Sequence, residues 1–324
     1  MKKIKVAFLY NEKEWTEYLS RFYEVEISEK PDFVICDSGS TLRCVHDFDC
    51  VRIVCHGENV RTDFNLFDYA TGFDVMQFGD RYLYFPLFMG YEADLQLALH
   101  KHEQPDAYYL DRNGFCNFVV SNGNAATQLR DEMFECLSLY KKVDSGGRYK
   151  NNLPDGKPVE NKLEFQKRYR FSLAFENSSY KGYTTEKIIQ AFAAGTIPIY
   201  WGDPDVATEF NPKAFVNCME YRSLDEVIKR IKEIDQDESL YLAMQKESII
   251  NPEGNIPKML EESYRDTFFR HIFDQDPSKA LRRTNAKDGW GAFLERDACK
   301  FYEMEHSKAI QMLYTIEKKL GRLK

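Results

Sequence analysis

The sequence predicts an α/β protein whose parallel sheets are covered by helices. With 324 residues, the chain is long enough for two domains that each bury a core. In its first third, apolar runs with strand character alternate with segments of helical periodicity, as in one Rossmann-like half. In residues 169–204 a strand, a polar loop, a short helix and a second strand follow one another as in a βαβ unit. Strands that alternate with helices pair in parallel, and ligands bind beyond their carboxyl ends.

Composition and charge exclude several broad classes of protein. Charged residues make up 30% of the chain and hydrophobic residues 43%, which is globular composition. The formal net charge of −8 argues against a general nucleic-acid binder, since such proteins are usually basic. No apolar run approaches the roughly 20 residues that a membrane-spanning helix needs. The first apolar run, residues 3–10, has the character of a β-strand and not of a signal peptide. We therefore expect a cytoplasmic protein.

The eight cysteines include no Cys-x-x-Cys pair, and we expect free thiols in a reducing compartment. His46 and His56 lie near Cys44, Cys50 and Cys55 in the sequence, but without the regular spacing of zinc ligands. The prediction is therefore that the protein has no metal site.

The first predicted sheet carries a candidate catalytic carboxylate, Glu58. The predicted elements of this part are strands at residues 3–10, 33–36 and 51–55 and a helix at residues 14–23. Glu58 follows the third strand beside a glycine, which is where parallel sheets carry functional groups. A solvated loop carboxylate is the plain alternative.

The stretch after Glu58 is rich in aromatic residues and carboxylates. Asp63, Asp68 and Asp74 lie in it, and an aromatic run occupies residues 82–86. Because rings stack on sugar C–H faces and carboxylates accept hydrogen bonds from hydroxyls, the stretch suits a sugar-binding wall. A core with capping aspartates explains the same pattern, and both interpretations stay open.

We place the domain boundary near residues 105–114, because a new apolar run begins after it. The predicted elements here are a strand at residues 115–120, which Ser121 and Asn122 end, and a helix at residues 128–140. Arg130 then lies in the first turn of that helix, near the carboxyl edge of a second sheet. A cation at this position could meet a phosphate; a surface arginine is the alternative.

The junction between strand and helix within residues 169–204 gathers the polar groups of a nucleotide site. Thr184 can cap the helix, and Gly195 stands at the C′ position of its end. First-turn amides and the positive end of the helix dipole favour an anion such as a pyrophosphate. Lys187 adds positive charge for phosphates, whereas the carboxylate of Glu186 suits the two hydroxyls of a ribose. Ordinary placement of charges in a first helical turn is the alternative.

The C-terminal part is predicted to be helical. Ser223 and Glu226 have capping-box spacing, which predicts the start of one helix. From about residue 294 onward, apolar residues recur at helical spacing, and the chain ends in the basic residues Lys318, Lys319, Arg322 and Lys324. An amphipathic helix of this kind either binds a membrane surface or packs on its own protein with a solvated end.

Three motifs follow one another closely in the central unit: FSLAFENS at residues 171–178, YTTEK at residues 183–187 and AFAAGTIPIYWG at residues 191–202. They resemble the donor-binding motif of the family 10 α-1,3/4-fucosyltransferases, and the bacterial branch in particular. The sequences GEN at residues 57–59 and FNLFDYATGFD at residues 64–74 also resemble that branch. The similarity covers most of residues 50–220, is weak in the first 50 residues and hardly extends to the tail.

The resemblance implies a GT-B fold, in which two Rossmann-like domains face each other across a cleft. The corresponding division of this chain is an acceptor-binding domain at residues 1–110, a donor-binding domain at residues 111–290 and a C-terminal amphipathic helix at residues 291–324. The implied donor is GDP-fucose.

The resemblance also implies roles for six residues, each of which stands at a position that matches a family motif. They are Glu58 as the general base, Arg130 as a phosphate-binding arginine, Asn177 and Tyr183 as donor-contact residues, Glu186 as the ribose-binding glutamate and Lys187 as a phosphate-binding lysine. These roles agree with the charges and positions described above.

The implied reaction moves L-fucose, with inversion, from GDP-fucose to a GlcNAc hydroxyl of an N-acetyllactosamine-type glycan, in α-1,3 or α-1,4 linkage. No metal cofactor is required, although a divalent metal could stimulate the reaction. The expected partners are GDP-fucose and an oligosaccharide acceptor, without nucleic acid, and the expected location is the cytoplasm or, through the C-terminal helix, the inner membrane surface. Two alternatives remain: a GT-B transferase that uses another nucleotide sugar, and a non-catalytic carbohydrate-binding protein of the same fold.

Overall fold

A computed structural model describes residues 1–121, 123, 128–284 and 289–319. Its strands are β1 (Lys2–Phe8), β2 (Tyr23–Ile27), β3 (Phe33–Asp37), β4 (Val51–Cys55), β5 (Tyr69–Gly72), β6 (Tyr82–Tyr84), β7 (Gly114–Phe118), β8 (Val143–Ser145), β9 (Tyr169–Phe175), β10 (Ile197–Trp201) and β11 (Val216–Asn217). Its helices are α1 (Glu12–Leu19), α2 (Thr41–Asp47), α3 (Glu92–Leu99), α4 (Asp106–Leu110), α5 (Gln128–Tyr140), α6 (Lys162–Gln166), α7 (Glu186–Ala193), α8 (Leu224–Gln236), α9 (Glu238–Lys246), α10 (Ile256–Met259), α11 (Glu262–Asp274), α12 (Pro277–Ala280), α13 (Trp290–Glu305) and α14 (Lys308–Lys319). The predictions about Asn122 and about Arg322 and Lys324 lie outside the described residues.

The chain forms two compact units. The first contains Met1–Gly72, Met76–Tyr84 and Ser263–Lys324, and the second contains Phe73–Val75 and Phe85–Glu262. These units differ from the division at residues 110 and 290 that the sequence suggested. The difference arises because α3 packs on α7 and because residues after 262 cover the first sheet. Helical periodicity identifies a helix but does not say which sheet it covers.

The first unit contains a six-stranded parallel sheet with the order β2-β1-β3-β4-β5-β6. Within β1, Ile4 and Val6 belong to the core on one face of the sheet and Ala7 to the core on the other, so both faces are covered. On one face, residues of α1 and α11 complete the core, among them Phe269 and Phe273. On the other face, α2 and α13 do so. The order reverses between β1 and β3, as in a Rossmann-like sheet.

The second unit contains a five-stranded parallel sheet with the order β11-β10-β9-β7-β8. Its central strands are nearly continuous apolar runs because both faces are buried, and six of the seven residues of β9 are buried. The order of the strands reverses between β7 and β9, which makes their carboxyl ends a topological switch point. The two parallel sheets confirm the predicted α/β class with two Rossmann-like halves.

The C-terminal segment contains two helices, α13 and α14, where the sequence suggested one. The fully buried Arg52 anchors α13 by donating from Nη2 to Glu295 Oε1 over 2.7 Å and to the carbonyl of Val45 over 3.1 Å. Farther along, apolar side chains of these helices are exposed, among them Phe301, Met312 and Leu313. Within the described parts of the chain, no helix is both long and apolar enough to cross a bilayer.

Candidate functional site

The switch point of the second sheet carries two of the predicted donor-binding residues. Arg130 lies in the first turn of α5, after β7, and Asn177 follows β9. Nη1 of Arg130 lies 3.4 Å from Oδ1 of Asn177 and donates a hydrogen bond to it. Parallel sheets bind ligands at such a point, because the loops diverge there and leave a crevice. The fold thus brings together two residues that are 47 positions apart in the sequence.

Arg130 is buried, which argues against the alternative of a surface arginine. Only 1% of it is exposed, and its guanidinium carbon lies 5.9 Å from the ring centre of Phe118 and 5.7 Å from that of Tyr149. The hydroxyl of Tyr149 donates to Asp131 over 2.6 Å, which fixes one of these rings. Burial lowers the pKa of Arg130, but a guanidinium stays charged at neutral pH. A fixed cation of this kind is suited to bidentate binding of phosphate oxygens.

A fully buried carboxylate, Glu176, organises the start of α7. Its Oε1 accepts from the backbone N–H of Thr185 over 2.7 Å, and its Oε2 accepts from the hydroxyl of Thr185 over 2.7 Å and from Nζ of Lys187 over 2.9 Å. Burial raises the pKa of Glu176, and the attraction of Lys187 opposes this change. Sequence reasoning assigned no role to Glu176, although its place directly after a buried strand was a signal for one.

The prediction that Thr184 caps α7 is wrong, because the N-cap residue is Thr185. The hydroxyl of Thr184 instead donates to Oδ2 of the buried Asp203 over 3.1 Å. Oδ1 of Asp203 accepts from the backbone N–H of Gly182 over 2.9 Å. At the other end of the helix, Gly195 has a φ of +67°, as expected for a C′ residue in the left-handed conformation.

Glu186 and Lys187 begin α7 and remain accessible to a ligand. The exposed fractions of their side chains are 21% and 17%, and Nζ of Lys187 lies 3.6 Å from Oε1 of Glu186. Burial acts to raise the pKa of Glu186, but Lys187 and Lys162 outweigh it, so that the pKa is lowered. Glu186 is therefore ionised at neutral pH and can accept hydrogen bonds from two hydroxyls.

Tyr183, the other predicted donor-contact residue, is held between glycine and aromatic neighbours. Its ring meets that of Phe73 edge-on, with the ring centres 5.4 Å apart, and 2% of the residue is exposed. The preceding Gly182 has a φ of +78°, and a Cβ atom there would lie 2.3 Å from the carbonyl oxygen of Phe73. Only glycine fits this close approach, so the path of the loop into α7 is strictly defined.

Glu58 lies in the first unit, whereas the other five predicted site residues lie in the second. It is exposed and follows β4, and the backbone N–H of Val60 donates to its carbonyl over 2.7 Å. Nδ1 of His56 bonds to the hydroxyl of Ser38 over 2.9 Å, and its backbone N–H donates to the carbonyl of Thr71 over 3.0 Å. Glu58 therefore stands on a loop whose first residue is fixed at the carboxyl edge of the first sheet.

Two of the carboxylates after Glu58 have structural roles. Asp68 is fully buried and accepts from the backbone N–H groups of Arg52 over 2.8 Å and of Arg282 over 2.7 Å. Asp63 accepts from the backbone N–H of Asn65 over 2.9 Å. For these two residues the capping interpretation is correct, since each satisfies backbone donors.

Two family models match the chain. The model described as "Glycosyltransferase family 10 (fucosyltransferase) C-term" matches residues 110–246. The model described as "Alpha-(1,3)-fucosyltransferase FucT N-terminal domain" matches residues 4–91. The first match contains Arg130, Asn177 and Lys187, and the second contains Glu58.

Curated relatives share part of their length with the chain. The chain is 34% identical over 320 residues to "Alpha-(1,3)-fucosyltransferase FucT" of Helicobacter pylori, and the alignment covers 85% of this chain and 66% of that protein. It is 30% identical over 131 residues to the human "4-galactosyl-N-acetylglucosaminide 3-alpha-L-fucosyltransferase 9", covering 39% of this chain and 34% of that protein. The chain thus spans just under two thirds of the bacterial relative and about one third of the human one.

Solved structures match most of the chain. A crystal structure of an alpha1,3-fucosyltransferase with GDP-fucose has a TM-score of 0.69 and 30% sequence identity, covering 88% of this chain and 93% of that one. A structure of an alpha1,3-fucosyltransferase with GDP has a TM-score of 0.67 and 30% identity, covering 85% and 91% of the two chains. With its two parallel sheets, the fold is of the α/β, GT-B-like class that the sequence predicted.

Proposed function

This chain belongs to glycosyltransferase family 10, the fucosyltransferases, and we propose that it transfers L-fucose from GDP-fucose to a GlcNAc hydroxyl of an N-acetyllactosamine-type glycan. The observation that carries the proposal is the arrangement at the carboxyl edge of the second sheet. There the buried Arg130 bonds to Asn177, and Lys187 and Glu186 begin α7 side by side. Two cations and one ionised carboxylate are what a nucleoside diphosphate needs, for its phosphates and its ribose respectively.

Donor binding uses these charges in different ways. Lys187 and the first-turn amides of α7 bind phosphate oxygens, with the positive end of the helix dipole adding to the attraction. Arg130 binds the diphosphate from the first turn of α5, already packed against two aromatic rings. Glu186 accepts hydrogen bonds from the ribose hydroxyls. The crystal structures of similar alpha1,3-fucosyltransferases, one with GDP-fucose and one with GDP, support this choice of nucleotide.

The reaction is a direct displacement with inversion at the anomeric carbon of fucose. The acceptor oxygen attacks that carbon, the bond to the β-phosphate oxygen breaks, and the acceptor proton passes to the carboxylate of Glu58. Negative charge grows on the departing GDP as the bond breaks, and Arg130 and Lys187 offset it. Glu58 is suited to this role by its exposure, because a base must reach hydroxyls that arrive from solvent.

The proposed reaction requires no bound metal, because two protein cations meet the leaving group. Among the residues that the structure describes, no three His, Cys, Asp or Glu side chains are grouped so that they could hold a metal ion. Transfer rates measured with EDTA and with added Mg²⁺ or Mn²⁺ test this part of the proposal. A complete loss of transfer in EDTA that the metal restores would contradict it.

The proposed linkage is α-1,3, with α-1,4 as a second product. The similarity to the human 4-galactosyl-N-acetylglucosaminide 3-alpha-L-fucosyltransferase 9 supports an acceptor of this class. The test is incubation of the purified chain with GDP-fucose and type 1 or type 2 disaccharides, followed by linkage analysis of the product. We expect fucose on the GlcNAc of the type 2 disaccharide.

A panel of nucleotide sugars separates this proposal from its alternatives. GDP-fucose and GDP should raise the midpoint of thermal unfolding, while UDP sugars should not. Stabilisation by GDP-mannose together with transfer of mannose would replace the donor assignment. Binding of glycan without transfer from any donor would favour a carbohydrate-binding protein.

We also propose that the C-terminal helices contact the inner membrane surface. Exposed apolar side chains on α13 and α14, among them Phe301, Met312 and Leu313, support this contact, since amphipathic helices insert such residues at the lipid interface. The test is sedimentation with liposomes that contain anionic lipid, comparing the full chain with M312S/L313S, a double variant at two outward positions. Equal sedimentation of both proteins, or of neither, would remove the contact.

A further inference from the structure

Lys187 lies between two carboxylates that attract its ammonium group to different extents. Its Nζ is 2.9 Å from Oε2 of Glu176 and 3.6 Å from Oε1 of Glu186. A single ammonium group has three N–H donors, and one of them also reaches the hydroxyl of Thr185 over 2.9 Å. The position of Lys187 is therefore the outcome of a competition between these two carboxylates.

Burial favours the pairing of Lys187 with Glu176 over its pairing with Glu186. Its side chain is 0% exposed, whereas 21% of that of Glu186 is exposed. A carboxylate without water depends on its partners for nearly all of its stabilisation, and the attraction between charges is stronger in the low dielectric of the interior. Glu176 therefore holds the ammonium at hydrogen-bond distance, and Glu186 keeps oxygen lone pairs for other donors.

We infer that Glu176 is a positioning residue for nucleotide binding: it holds Lys187 in place and keeps it from pairing fully with Glu186. This inference rests on the proposed function, in which Lys187 binds phosphate and Glu186 binds ribose. Glu176 itself is fully buried and does not touch the ligand. It acts on the nucleotide site through Lys187, and it fixes the first turn of α7 through Thr185.

The side chain of Glu176 packs closely against the residue that follows β10. A Cβ atom on Gly202, the residue after β10, would lie 2.4 Å from Cγ of Glu176 and 2.7 Å from its Cβ. The backbone N–H of Glu176 donates to the carbonyl of Trp201 over 2.8 Å, so the strand edge and the glycine confine it together. This packing restricts the side-chain conformers of Glu176, which favours the observed bond with Lys187.

The substitution that separates the charge of Glu176 from its shape is Glu176→Gln. The amide has one acceptor oxygen where the carboxylate has two, and its nitrogen cannot accept from Lys187. In this variant Glu186 is the remaining carboxylate near Lys187, and pairing between them takes both groups from the nucleotide. We expect the Kd for GDP, measured by calorimetry, to rise about tenfold, which is a common size of coupling between contacting residues.

A double-mutant cycle with Lys187→Met shows whether this effect passes through Lys187. In the K187M background, E176Q should change the Kd for GDP by less than about threefold, because the residue it positions is gone. An equal fold-change in both backgrounds, or GDP binding in E176Q as tight as in the wild type, would overturn the inference. Wild-type protein that binds no GDP would instead contradict the proposed function.

A second readout tests the pairing without any nucleotide. K187M leaves the buried carboxylate of Glu176 without its cation, so its midpoint of thermal unfolding should fall, and E176Q added to K187M should raise it again. Lys181→Met is the matched control, since that lysine lies in the same loop with 74% of its side chain exposed. A K187M midpoint equal to that of the control, or no recovery in the double variant, would overturn the pairing.

Discussion

The carboxyl edges of the two sheets are built in opposite ways. At the second sheet, Glu176 and Asp203 are buried, and between them they accept five hydrogen bonds from the first turn of α7 and the segment that leads into it. At the first sheet, Glu58, the proposed general base, is exposed on a loop that the bonds of His56 fix at its start. A site that always binds the same diphosphate binds it more tightly when its side chains are already held in place. A base that accepts protons from arriving glycans must stay accessible to solvent.

The largest effect is expected at the exposed edge. Glu58→Gln should lower the rate of fucose transfer by roughly 10²–10⁴, the usual contribution of a general base, because the amide cannot take the proton. Donor affinity should not change, since the residues proposed to bind the donor lie in the second unit. Initial-rate kinetics and calorimetry with GDP-fucose measure the two quantities. Glu29→Gln, at another exposed position of the first unit, is the control, and near-normal transfer by E58Q would remove Glu58 from the base role.

The next effect should come from the buried cation of the second unit. Arg130→Met should lower the transfer rate by roughly 10²–10³, as expected when one donor to the developing charge is lost. Donor affinity should fall as well, because Arg130 contributes before the reaction begins, and this is the contrast with Glu58. Arg222→Met on the surface of the same unit is the control. A change in affinity alone, with the transfer rate intact, would limit Arg130 to binding.

A smaller effect tests whether the buried edge is as rigid as its packing suggests. Gly202→Ala places a methyl group 2.4 Å from Cγ of Glu176 and should lower the free energy of unfolding by about 1–3 kcal/mol, as overpacking of an interior does. Chemical denaturation gives this value. Gly90→Ala is the control, since a Cβ atom there would meet nothing within 4 Å. Wild-type stability in G202A would mean that Glu176 can move aside.

The smallest effect is a pH dependence of the first unit, where a prominent ion pair is partly exposed. Arg282 and His271 lower the pKa of Asp80 from 3.8 to about 2, although burial opposes them. A lowered pKa stabilises the fold above pH 3.8, and this contribution is lost as the pH falls towards 2. Because 38% of the Asp80 side chain is exposed, its contribution should stay below about 1 kcal/mol.

Asp80→Asn removes this titration, so the fall in unfolding free energy between pH 5 and pH 2 should be slightly smaller than in the wild type. Urea denaturation across that range measures it, with Glu29→Gln as the control. An identical fall in the wild type and D80N would show that the pair with Arg282 contributes nothing measurable.

Elements with local signals were predictable from the sequence. Apolar periodicity gave a helix at residues 128–140, and α5 has these bounds. The Ser-x-x-Glu spacing gave a helix start at Ser223, which is the N-cap residue of α8 and accepts from the backbone N–H of Glu226 over 3.4 Å. In both cases the interactions join residues at most four positions apart, so the sequence contains all that determines them.

Features that depend on contacts between residues far apart in the sequence were not predictable. Glu176 and Gly202 are 26 positions apart and meet only because β9 pairs with β10. Thr184 and Thr185 both have the residue type of an N-cap, and the structure puts Thr185 in that position. The hydroxyl of Thr184 instead donates to Asp203, which the same pairing brings close. The sequence thus indicated candidate charged residues for a site, whereas the contacts of Glu176 and Asp203 at the start of α7 required the structure.

The order of the two units along the chain has a consequence for biosynthesis. The second unit is nearly all one continuous segment, Phe85–Glu262, so it can fold as soon as that segment leaves the ribosome. The six strands of the first sheet are synthesised earlier, but Phe269 and Phe273 of α11, which cover one face, come roughly 190 residues after β6. At 5–20 residues per second, the part of that face that α11 covers stays open for roughly 10–40 s. The first unit is therefore synthesised first but completed last. During that interval its exposed apolar residues can bind chaperones or aggregate.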